Sequence, residues 1–564
     1  MNILGKRLIA LLMAIISFTS VIACGVRINP NRPLQEQFNQ GAVTYKVSED
    51  IDLGGKTINI PDGATISFRG GRVLNGTLSG SFYVKGVKKG SFGVSMKKGS
   101  KLMSPFPIFN FKPEINTSVI SACVSGIFLK EDINISSDIN LKSSLDGEGH
   151  TIAASSSSAA VLRIIGNHQG IVIRNLRITR KYSGEINKNY ALICENSSNI
   201  AITDSSIEGR LYFVNKTFSE NPADISSGFV INNCLLSCDL SSCKQGWEFG
   251  QDHLAFYSIR DISITNCKIF STNVNRVLKT SQYFPKNDYS HVTYCTDNIL
   301  FKDNTVIAKS DYGKQMWDMY CGSTNVTIQN NTFEIEGFTR FIENKAYQDK
   351  YSAGELVSSQ IFILDNKVKT IGSDLFQFRT SPKCDLIEIR RNSFNMGGPN
   401  KNVNTGYVRN CGGYLQGFKQ MTISDNSFKW ADEAVGLMFL MVNFACNDTI
   451  IENNDLEDVY RINISNATHP VNGSQAVSGK RFKYSGNKKV YSGRYQKSRE
   501  EIYVSDVDFK LMDVDIENNA FNNSYEIIFA KNASIDNMAY GSKSKNSKSY
   551  LNQVKTSPWK HRSR

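Results

Sequence analysis

The chain has 564 residues, 21% of them charged, and a formal net charge of +13. Seven cations and no acid lie in the Ser- and Lys-rich stretch 541–564, and subtracting these together with Lys6 and Arg7 leaves a body of only +4. So small a charge, without any RNA or DNA motif, argues against nucleic acid as a partner. The tail 541–564 is predicted to be disordered.

The first 24 residues have the pattern of an export signal. Lys6 and Arg7 precede an apolar stretch from Leu8 to Ala23 that is short for a membrane span. The phrase Val21-Ile22-Ala23-Cys24 resembles a bacterial lipobox, which implies that Cys24 becomes the lipidated N-terminus. An ordinary signal peptide with a chance Cys is the alternative. We expect an exported outer-membrane lipoprotein, on the periplasmic or the cell-surface side, that meets the membrane only through its lipid anchor.

Residues 25–115 are predicted to form an N-terminal cap and the first narrow β coils. Between Tyr45 and Gly86 apolar residues alternate with Gly-rich turns, and between Met96 and Asn116 this periodicity lapses. A solenoid needs a cap because its end strands would otherwise be unpaired. A second alternating run ends in a Gly-Glu-Gly-His-Thr-Ile turn, where a structural role for His150 is favoured over that of a catalytic base.

Residues 116–535 are dominated by a repeated phrase, Φ-x-Φ-x-x-N-x-Φ, where Φ is apolar. Eleven copies occur, with Ile at the second apolar position in ten, and the first ten start 26 to 37 residues apart. The copies begin at Ile171, Ile200, Phe229, Ile262, Ile299, Val326, Ile361, Ile387, Met421, Thr449 and Val514. A fixed phrase at such a period indicates a solenoid whose units stack to bury their apolar faces.

The phrase predicts a short strand followed by a turn. Alternating β-branched residues are typical of a strand, and Asn suits a turn because it tolerates left-handed backbone angles. The sixth position holds Asn in the last seven copies, from Asn304 to Asn519, and Cys234 and Cys267 in two earlier ones. Stacked coils about 4.8 Å apart would join these amides in an internal hydrogen-bonded ladder that supports the fold.

The cysteines do not suggest a disulfide framework. Eleven follow Cys24, an odd number spread widely along the chain. The one tight group, Cys234, Cys238 and Cys243, lacks a second Cys or His pair at zinc spacing. Buried thiols are therefore favoured over a metal site or a local disulfide.

Leucine-rich repeats share part of this pattern and are the structural alternative. They need a Leu three residues earlier, where this chain has residues such as His168, Ser197 and Thr296, and no helical pattern separates the copies. The chain instead resembles the pectate-lyase-like superfamily over roughly residues 45–530. The resemblance implies an all-β fold, a single-stranded right-handed parallel β-helix with an internal Asn ladder. It identifies an activity poorly, because this fold carries lyases, hydrolases, tailspikes and non-catalytic proteins.

In that superfamily active residues usually lie on the strand before the phrase, facing a groove. The outward candidates on these strands are Lys279, Asp318, Glu343, Lys345, Gln377 and Arg379. A β-eliminating lyase needs a base to take the proton next to a uronate carboxylate, and a cation to stabilise the product anion. We therefore assign Lys279, Glu343, Lys345 and Arg379 as catalytic, Gln377 as substrate-binding and Asp318 as a metal ligand, with Ca²⁺ the one cofactor considered. A hydrolase is disfavoured because the chain has no Asp-Asp pair.

The gap before the last copy is predicted to hold an excursion at 460–501. Its cations and aromatic residues suit an acidic glycan, because cations bind carboxylates and aromatic rings stack on sugars; the alternative is a solvated loop. The residues assigned to substrate binding there are Lys480, Arg481, Tyr484, Tyr491 and Arg494.

Together these features predict a protein that binds or depolymerises an acidic polysaccharide. The alternatives are a non-catalytic surface or adhesive β-helix and a tailspike-like glycan-binding protein. An acid–base group assembled on the strands before the phrase would favour the enzyme. The sequence leaves the oligomeric state open.

Overall fold

The computed structural model describes residues 25–39, 43–154, 159–182, 184, 189–217, 224–243, 251–283, 296–320, 323–345, 359–372, 374–397, 411–430, 438–443, 448–457, 459–465, 479–490, 500–504, 510–517, 519–521, 526–529 and 534–541. The predicted signal peptide with Cys24, and the tail from 542, lie outside these residues. The chain divides into two compact units. Unit 1 comprises Met1–Ser183, Asn187–Ile193 and Ile200–Glu208, and unit 2 comprises Gly184–Ile186, Cys194–Asn199 and Gly209–Arg564.

Unit 1 contains two helices and short strands. The helices are α1 (Leu34–Gln37) and α2 (Pro113–Ala122). The strands are β1 (Val26–Arg27), β2 (Thr44–Val47), β3 (Ile51–Asp52), β4 (Thr57–Asn59), β5 (Thr65–Phe68), β6 (Val73–Ser79), β7 (Ser81–Lys85), β8 (Phe92–Met96), β9 (Lys101–Leu102), β10 (Phe106–Ile108), β11 (Ile127–Leu129), β12 (Ile133–Ile135), β13 (Ile139–Asn140), β14 (Leu145–Asp146), β15 (Thr151–Ala154), β16 (Ala160–Ile165), β17 (Val172–Arg174), β18 (Arg177–Arg180), β19 (Tyr190–Glu195, its last two residues in unit 2), β20 (Ile200–Thr203) and β21 (Ser206–Glu208).

The strands of unit 1 pair in parallel with strands of the preceding and following coils. From β11 onward every third strand pairs, giving the rows β11-β14-β17-β20, β12-β15-β18-β21 and β13-β16-β19. Helix α2 begins with Pro113, whose missing N–H costs nothing at a helix start. It buries Val119, Ile120 and Ala122 and packs against β8, β12 and β13.

In the described part of unit 2, each coil of the chain is built from β-strands joined by turns. They are β22 (Arg210–Val214), β23 (Ser227–Asn232), β24 (Leu235–Asp239), β25 (Asp252–Tyr257), β26 (Arg260–Thr265), β27 (Lys268–Thr272), β28 (Arg276–Ser281), β29 (Asp297–Lys302), β30 (Thr305–Tyr320), β31 (Thr324–Gln329), β32 (Thr332–Lys345), β33 (Ser359–Leu364), β34 (Lys367–Ile371), β35 (Asp374–Arg390), β36 (Ser393–Gly397), β37 (Cys411–Ser424), β38 (Ser427–Trp430), β39 (Met438–Asn443), β40 (Asp448–Glu452), β41 (Asp455–Glu457), β42 (Val459–Ser465), β43 (Gly479–Ser485), β44 (Lys488–Val490), β45 (Glu500–Val504), β46 (Lys510–Glu517), β47 (Ala520–Phe521), β48 (Glu526–Phe529) and β49 (Ser534–Gly541).

Three parallel sheets run through unit 2. Sheet I is β22-β25-β28-β30-β32-β35-β37-β39-β42-β45-β48, sheet II is β23-β26-β29-β31-β33-β35-β37-β40-β43-β46-β49, and sheet III is β24-β27-β30-β32-β34-β36-β38-β41-β44-β47. The long strands β30, β32, β35 and β37 each contribute to two sheets. The fold is a parallel β-helix, as predicted.

The repeated phrase forms the strands of sheet II, and its second apolar position points into the core. Ile264, Phe301, Ile328, Ile363, Ile389, Ile423 and Ile451 stack in register and are buried. The residue after the phrase's strand takes positive φ in every described copy, for example Asn266 (55°) and Asp303 (57°). This residue, one before the ladder position, turns the chain into sheet III.

The predicted Asn ladder is present and buried. The backbone N–H of Asn304 donates to Oδ1 of Asn331 at 2.9 Å, and that of Asn331 donates to Oδ1 of Asn366 at 2.9 Å. Asn331 Nδ2 also donates to the carbonyl of Phe301, 2.9 Å away. The same bonds continue through Asn392, Asn426, Asn454, Asn487 and Asn519.

Asn487 reveals a coil that the sequence analysis missed. Strands β43 and β44 lie inside the predicted excursion, and Tyr484 on β43 pairs with Ile451 and Ile516 of the adjacent coils. The phrase reads Phe482-Lys483-Tyr484-Ser485-Gly486-Asn487-Lys488-Lys489, so Lys489 replaces the final apolar residue and hides the repeat. The segment is therefore not one continuous excursion.

The cysteines whose side chains the structure describes (Cys123, Cys194, Cys234, Cys238, Cys243 and Cys267) are buried thiols. Burial raises the pKa of Cys194 to about 12. Among the described residues, no helix is long and apolar enough to cross a membrane.

Candidate functional site

Along the strands of sheet I, two buried side chains separate one outward-facing side chain from the next. On β28, Val277, Leu278 and Thr280 are buried, whereas Arg276 and Lys279 are half-buried. Thr280 accepts a bond from Trp317 Nε1 at 3.2 Å within the core. This spacing leaves two outward positions on each strand, three residues apart. Because the strands of successive coils pair in register, these positions form two rows along the sheet.

One row contains four of the residues predicted for the site. Lys279 pairs with Asp318, Asp318 with Glu343, and Glu343 with Gln377, each on the next coil. The row continues in the other direction through Ala255 to Tyr212. Six coils at strand spacing extend over on the order of 24 Å, the length of a short oligosaccharide.

The second row, in which Asp252 pairs with Arg276, supplies arginines that bind acids of both rows. Nε of Arg276 donates to Oδ2 of Asp318 at 2.7 Å, and its Nη1 donates to Oδ1 of Asp252 at 3.0 Å. The side chain of Arg276 is 13% exposed, whereas those of Asp252 and Asp318 are 2% and 1% exposed. Two buried carboxylates therefore bind one guanidinium that is itself partly exposed.

A second arginine, two coils further along, pairs with one buried acid of its own strand. Nη1 of Arg340 donates to Oε1 of Glu343 at 3.1 Å, with 24% of the Arg340 side chain and 1% of the Glu343 side chain exposed. Gln315 Nε2 donates to the other oxygen of Glu343. Asp318, Glu343 and Gln377, predicted to face an open groove, are thus buried, because the arginines and the neighbouring coils cover them.

The pKa values follow this charge pattern. Burial alone would raise the pKa of Asp252. The positive charges of Arg276, Lys279 and Arg210 have the larger combined effect, and the pKa of Asp252 is lowered. Burial alone would lower the pKa of Arg276. The negative charges of Asp252 and Asp318 have the larger effect, and the pKa of Arg276 is raised. Both groups are therefore charged at neutral pH.

Lys314 behaves differently and was missed by the sequence analysis. Burial and the charge of Arg276, followed by that of Lys279, lower the pKa of Lys314, although Asp252 and Asp318 oppose the shift. Lys314 lies on β30, four residues before Asp318. Its only sequence signal is that it lies on the same strand as Asp318; the neighbouring cations come from other coils.

Two half-buried tyrosines lie beside the cations. The Nζ of Lys279 is 5.3 Å from the ring centroid of Tyr257, and the rings of Tyr212 and Tyr257 are 5.3 Å apart. Aromatic rings beside cations can stack on sugar rings while the cations bind acidic groups. The partly exposed surface of the site therefore consists of Tyr212, Tyr257, Arg276, Lys279, Lys314 and Arg340.

The site also contains acceptor atoms without a donor among the described residues. These atoms are Oδ1 of Asp318, Oε1 of Gln315 and Oε1 of Gln377. A ligand hydroxyl that reached them would satisfy acceptors that are costly to bury alone.

The residues present do not fit the predicted Ca²⁺ site at Asp318. Oδ2 of Asp318 binds a guanidinium, and the described residues contain no group of three or more His, Cys, Asp or Glu side chains that could hold a metal ion. The assignment of Asp318 as a metal ligand is corrected accordingly: its carboxylate orients Arg276.

The other predicted residues are distributed as follows. Lys345 and Arg379 pair on neighbouring coils of sheet I, and their side chains lie outside the described part. Lys480 and Arg481 lie on β43 in sheet II, a different sheet from the site, and their side chains are not among those described. Tyr491, Arg494 and Cys24 lie outside the described residues.

Tyr484 requires a correction. It is 0% exposed and occupies the apolar position of a coil, and its ring therefore has no face available for a sugar. The charged and aromatic residues around Tyr484 in the sequence made this core residue look like part of an exposed segment.

No protein-family model matches the chain. No curated protein and no solved structure matches it either.

Proposed function

We propose that this is an exported, lipid-anchored β-helix protein, of the pectate-lyase-like superfamily, that binds an acidic polysaccharide along sheet I of unit 2. The observation that carries the proposal is Arg276, held near the surface by two buried carboxylates, with Lys279 and Lys314 beside it. Buried acids that fix cations at a surface prepare it for anionic groups, because the cations need little reordering on binding.

Two tyrosines provide aromatic surface beside these cations. Tyr212 shares the row of Lys279, and Tyr257 lies under its ammonium group. A polymer of uronic acids presents carboxylates and apolar ring faces in alternation, which this combination of cations and aromatic rings suits. The buried Glu343 acts in this proposal as a positioning residue for Arg340.

The test is calorimetric titration with polygalacturonate, with dextran as the neutral polymer. Lys279→Ala should weaken polygalacturonate binding about tenfold, the value of one charge-assisted contact. Lys268→Ala is the matched control, because Lys268 is an exposed lysine on sheet III. Equal affinity for dextran, or equal loss in both variants, would contradict the proposal.

The lowered pKa of Lys314 favours a catalytic form of the same function. A neutral amine can take the proton next to a uronate carboxylate while Arg276 and Lys279 stabilise the resulting anion; loss of the 4-linked sugar then leaves an unsaturated uronate. If so, the ultraviolet absorbance of the unsaturated product should grow faster as pH rises and Lys314 loses its proton. Lys314→Ala should abolish formation of the unsaturated product, whereas the variant should still bind polygalacturonate. Binding without product in the wild type would identify the non-catalytic, adhesive or tailspike-like alternative.

A further inference from the structure

Unit 1 contains a cavity of about 740 Å³ beside helix α2. Its walls are the turn after β8, the polar face of α2, the loop between β12 and β13, and the outward side of β16. All of its lining residues belong to unit 1, and the cavity is therefore separate from the residues of the site described above. The volume is in the range of small-ligand pockets.

Helix α2 fixes the walls through side-chain hydroxyls. Ser118 Oγ accepts from the N–H of Met96 at 3.1 Å, and Ser121 Oγ accepts from the N–H of Asn140 at 3.1 Å. Thr117 Oγ1 accepts from the N–H of Ser136 at 3.3 Å. Three strands or loops are thus tied to one helix, which gives the cavity its shape before any ligand arrives.

The lining is hydroxylic and carries more cations than acids. Five serines line it, together with the cations Lys97, Lys98, Lys142 and Arg163 and the acids Glu114 and Asp138. Asp138 is already paired, since Arg163 Nε donates to its Oδ2 at 2.5 Å. Only Glu114 therefore opposes the three lysines. No aromatic residue lines the cavity, and Ile165, 46% exposed, supplies an apolar surface.

We propose that this cavity binds one or two sugar residues that carry a negative group, such as a uronic acid. Serine hydroxyls donate to and accept from sugar hydroxyls, and the lysines supply the counter-charge. Lys142 lines the cavity together with His168, and burial, followed by the charge of Lys142, lowers the pKa of that imidazole. A bound carboxylate near Lys142 should raise the pKa of His168.

The experiment titrates the full chain with D-glucuronate, D-glucose and sodium sulfate by calorimetry. Glucuronate should bind more tightly than glucose or sulfate, and Lys142→Ala should weaken it about tenfold. Lys101→Ala is the control, because Lys101 is an exposed lysine of β9 that does not line the cavity.

A second variant, Ser137→Trp, fills the cavity without removing a charge, and it should abolish binding while preserving the thermal unfolding transition. An upward shift of the His168 titration on adding glucuronate, followed by NMR of labelled histidine, would further support the proposal. Absence of glucuronate binding, equal binding of glucose or sulfate, or equal loss in the Lys101→Ala variant would overturn it.

Discussion

Arg276 and Asp318 lie on adjacent coils of sheet I, and the guanidinium of one donates to the carboxylate of the other at 2.7 Å. The same guanidinium donates to Asp252, and both carboxylates are almost fully buried. One arginine thus forms a salt bridge with each of two buried acids. This relationship makes Arg276 important both for stability and for the proposed ligand surface.

Replacement of Arg276 should destabilise unit 2. Arg276→Ala leaves Asp252 and Asp318 without their partner, and removing one member of a buried ion pair costs about 3 to 5 kcal/mol. Arg391→Ala is the control, since Arg391 pairs with Asp365 at the surface and such pairs contribute about 0 to 1 kcal/mol. Urea unfolding measures both; similar losses in the two variants would show that burial of the pair is unimportant.

The Asn ladder should contribute to stability at each step. Asn331→Ala removes the acceptor for the N–H of Asn304 and the donor to Asn366, and should destabilise by about 1 to 3 kcal/mol. The matched change Asn395→Ala, on an exposed position of β36, should stay within about 0.5 kcal/mol. Comparable midpoints of thermal unfolding for the two variants would contradict a structural role for the ladder.

His253 should make the protein less stable in acid. It is buried in the core, with Nδ1 2.8 Å from Ser271 Oγ, and burial together with Arg210 lowers its pKa from 6.5 to about 3. Between these values the unfolded chain binds a proton that the folded chain does not, and stability therefore falls as pH drops below about 6.5, by up to about 1.4 kcal/mol per pH unit.

The measurement compares the unfolding free energy of the wild type and of His253→Gln at pH 7 and pH 4. Other acidic groups contribute to both proteins, so the difference isolates His253. The variant should lose less stability on acidification than the wild type. A parallel decline in the two proteins would mean that His253 titrates alike in the folded and unfolded states.

Cys24 should determine membrane attachment. Because acyl chains supply the hydrophobic binding, Cys24→Ser should move the protein from the membrane to the aqueous fraction on detergent phase partitioning. Ser20→Ala, within the same leader, should leave the protein in the membrane fraction. A Cys24→Ser protein that still partitions with the membrane would exclude lipidation at this residue.

The sequence by itself determined the coil and its ladder. Each coil repeats the same local rules, an alternating apolar strand and a turn with Asn, and neighbouring coils are identical enough to stack in register. Asn331 and Asn366 could therefore be placed from their positions in the phrase alone. The rule failed at the coil of β43 and β44, where Lys489 on β44 breaks the phrase. Tyr484 and Asn487 were recognised only from their pairing with adjacent coils.

The site was decided by tertiary structure. The row Lys279, Asp318, Glu343 and Gln377 follows from strand register, which the sequence could anticipate. The capture of two carboxylates by Arg276 could not be anticipated, because its partners lie 24 and 42 residues away. The bonds depend on side-chain reach, along one row to Asp252 and across to the other row at Asp318. Burial of Asp318 and the lowered pKa of Lys314 arise from the same packing, because charge and desolvation at each residue are set by neighbours on other coils.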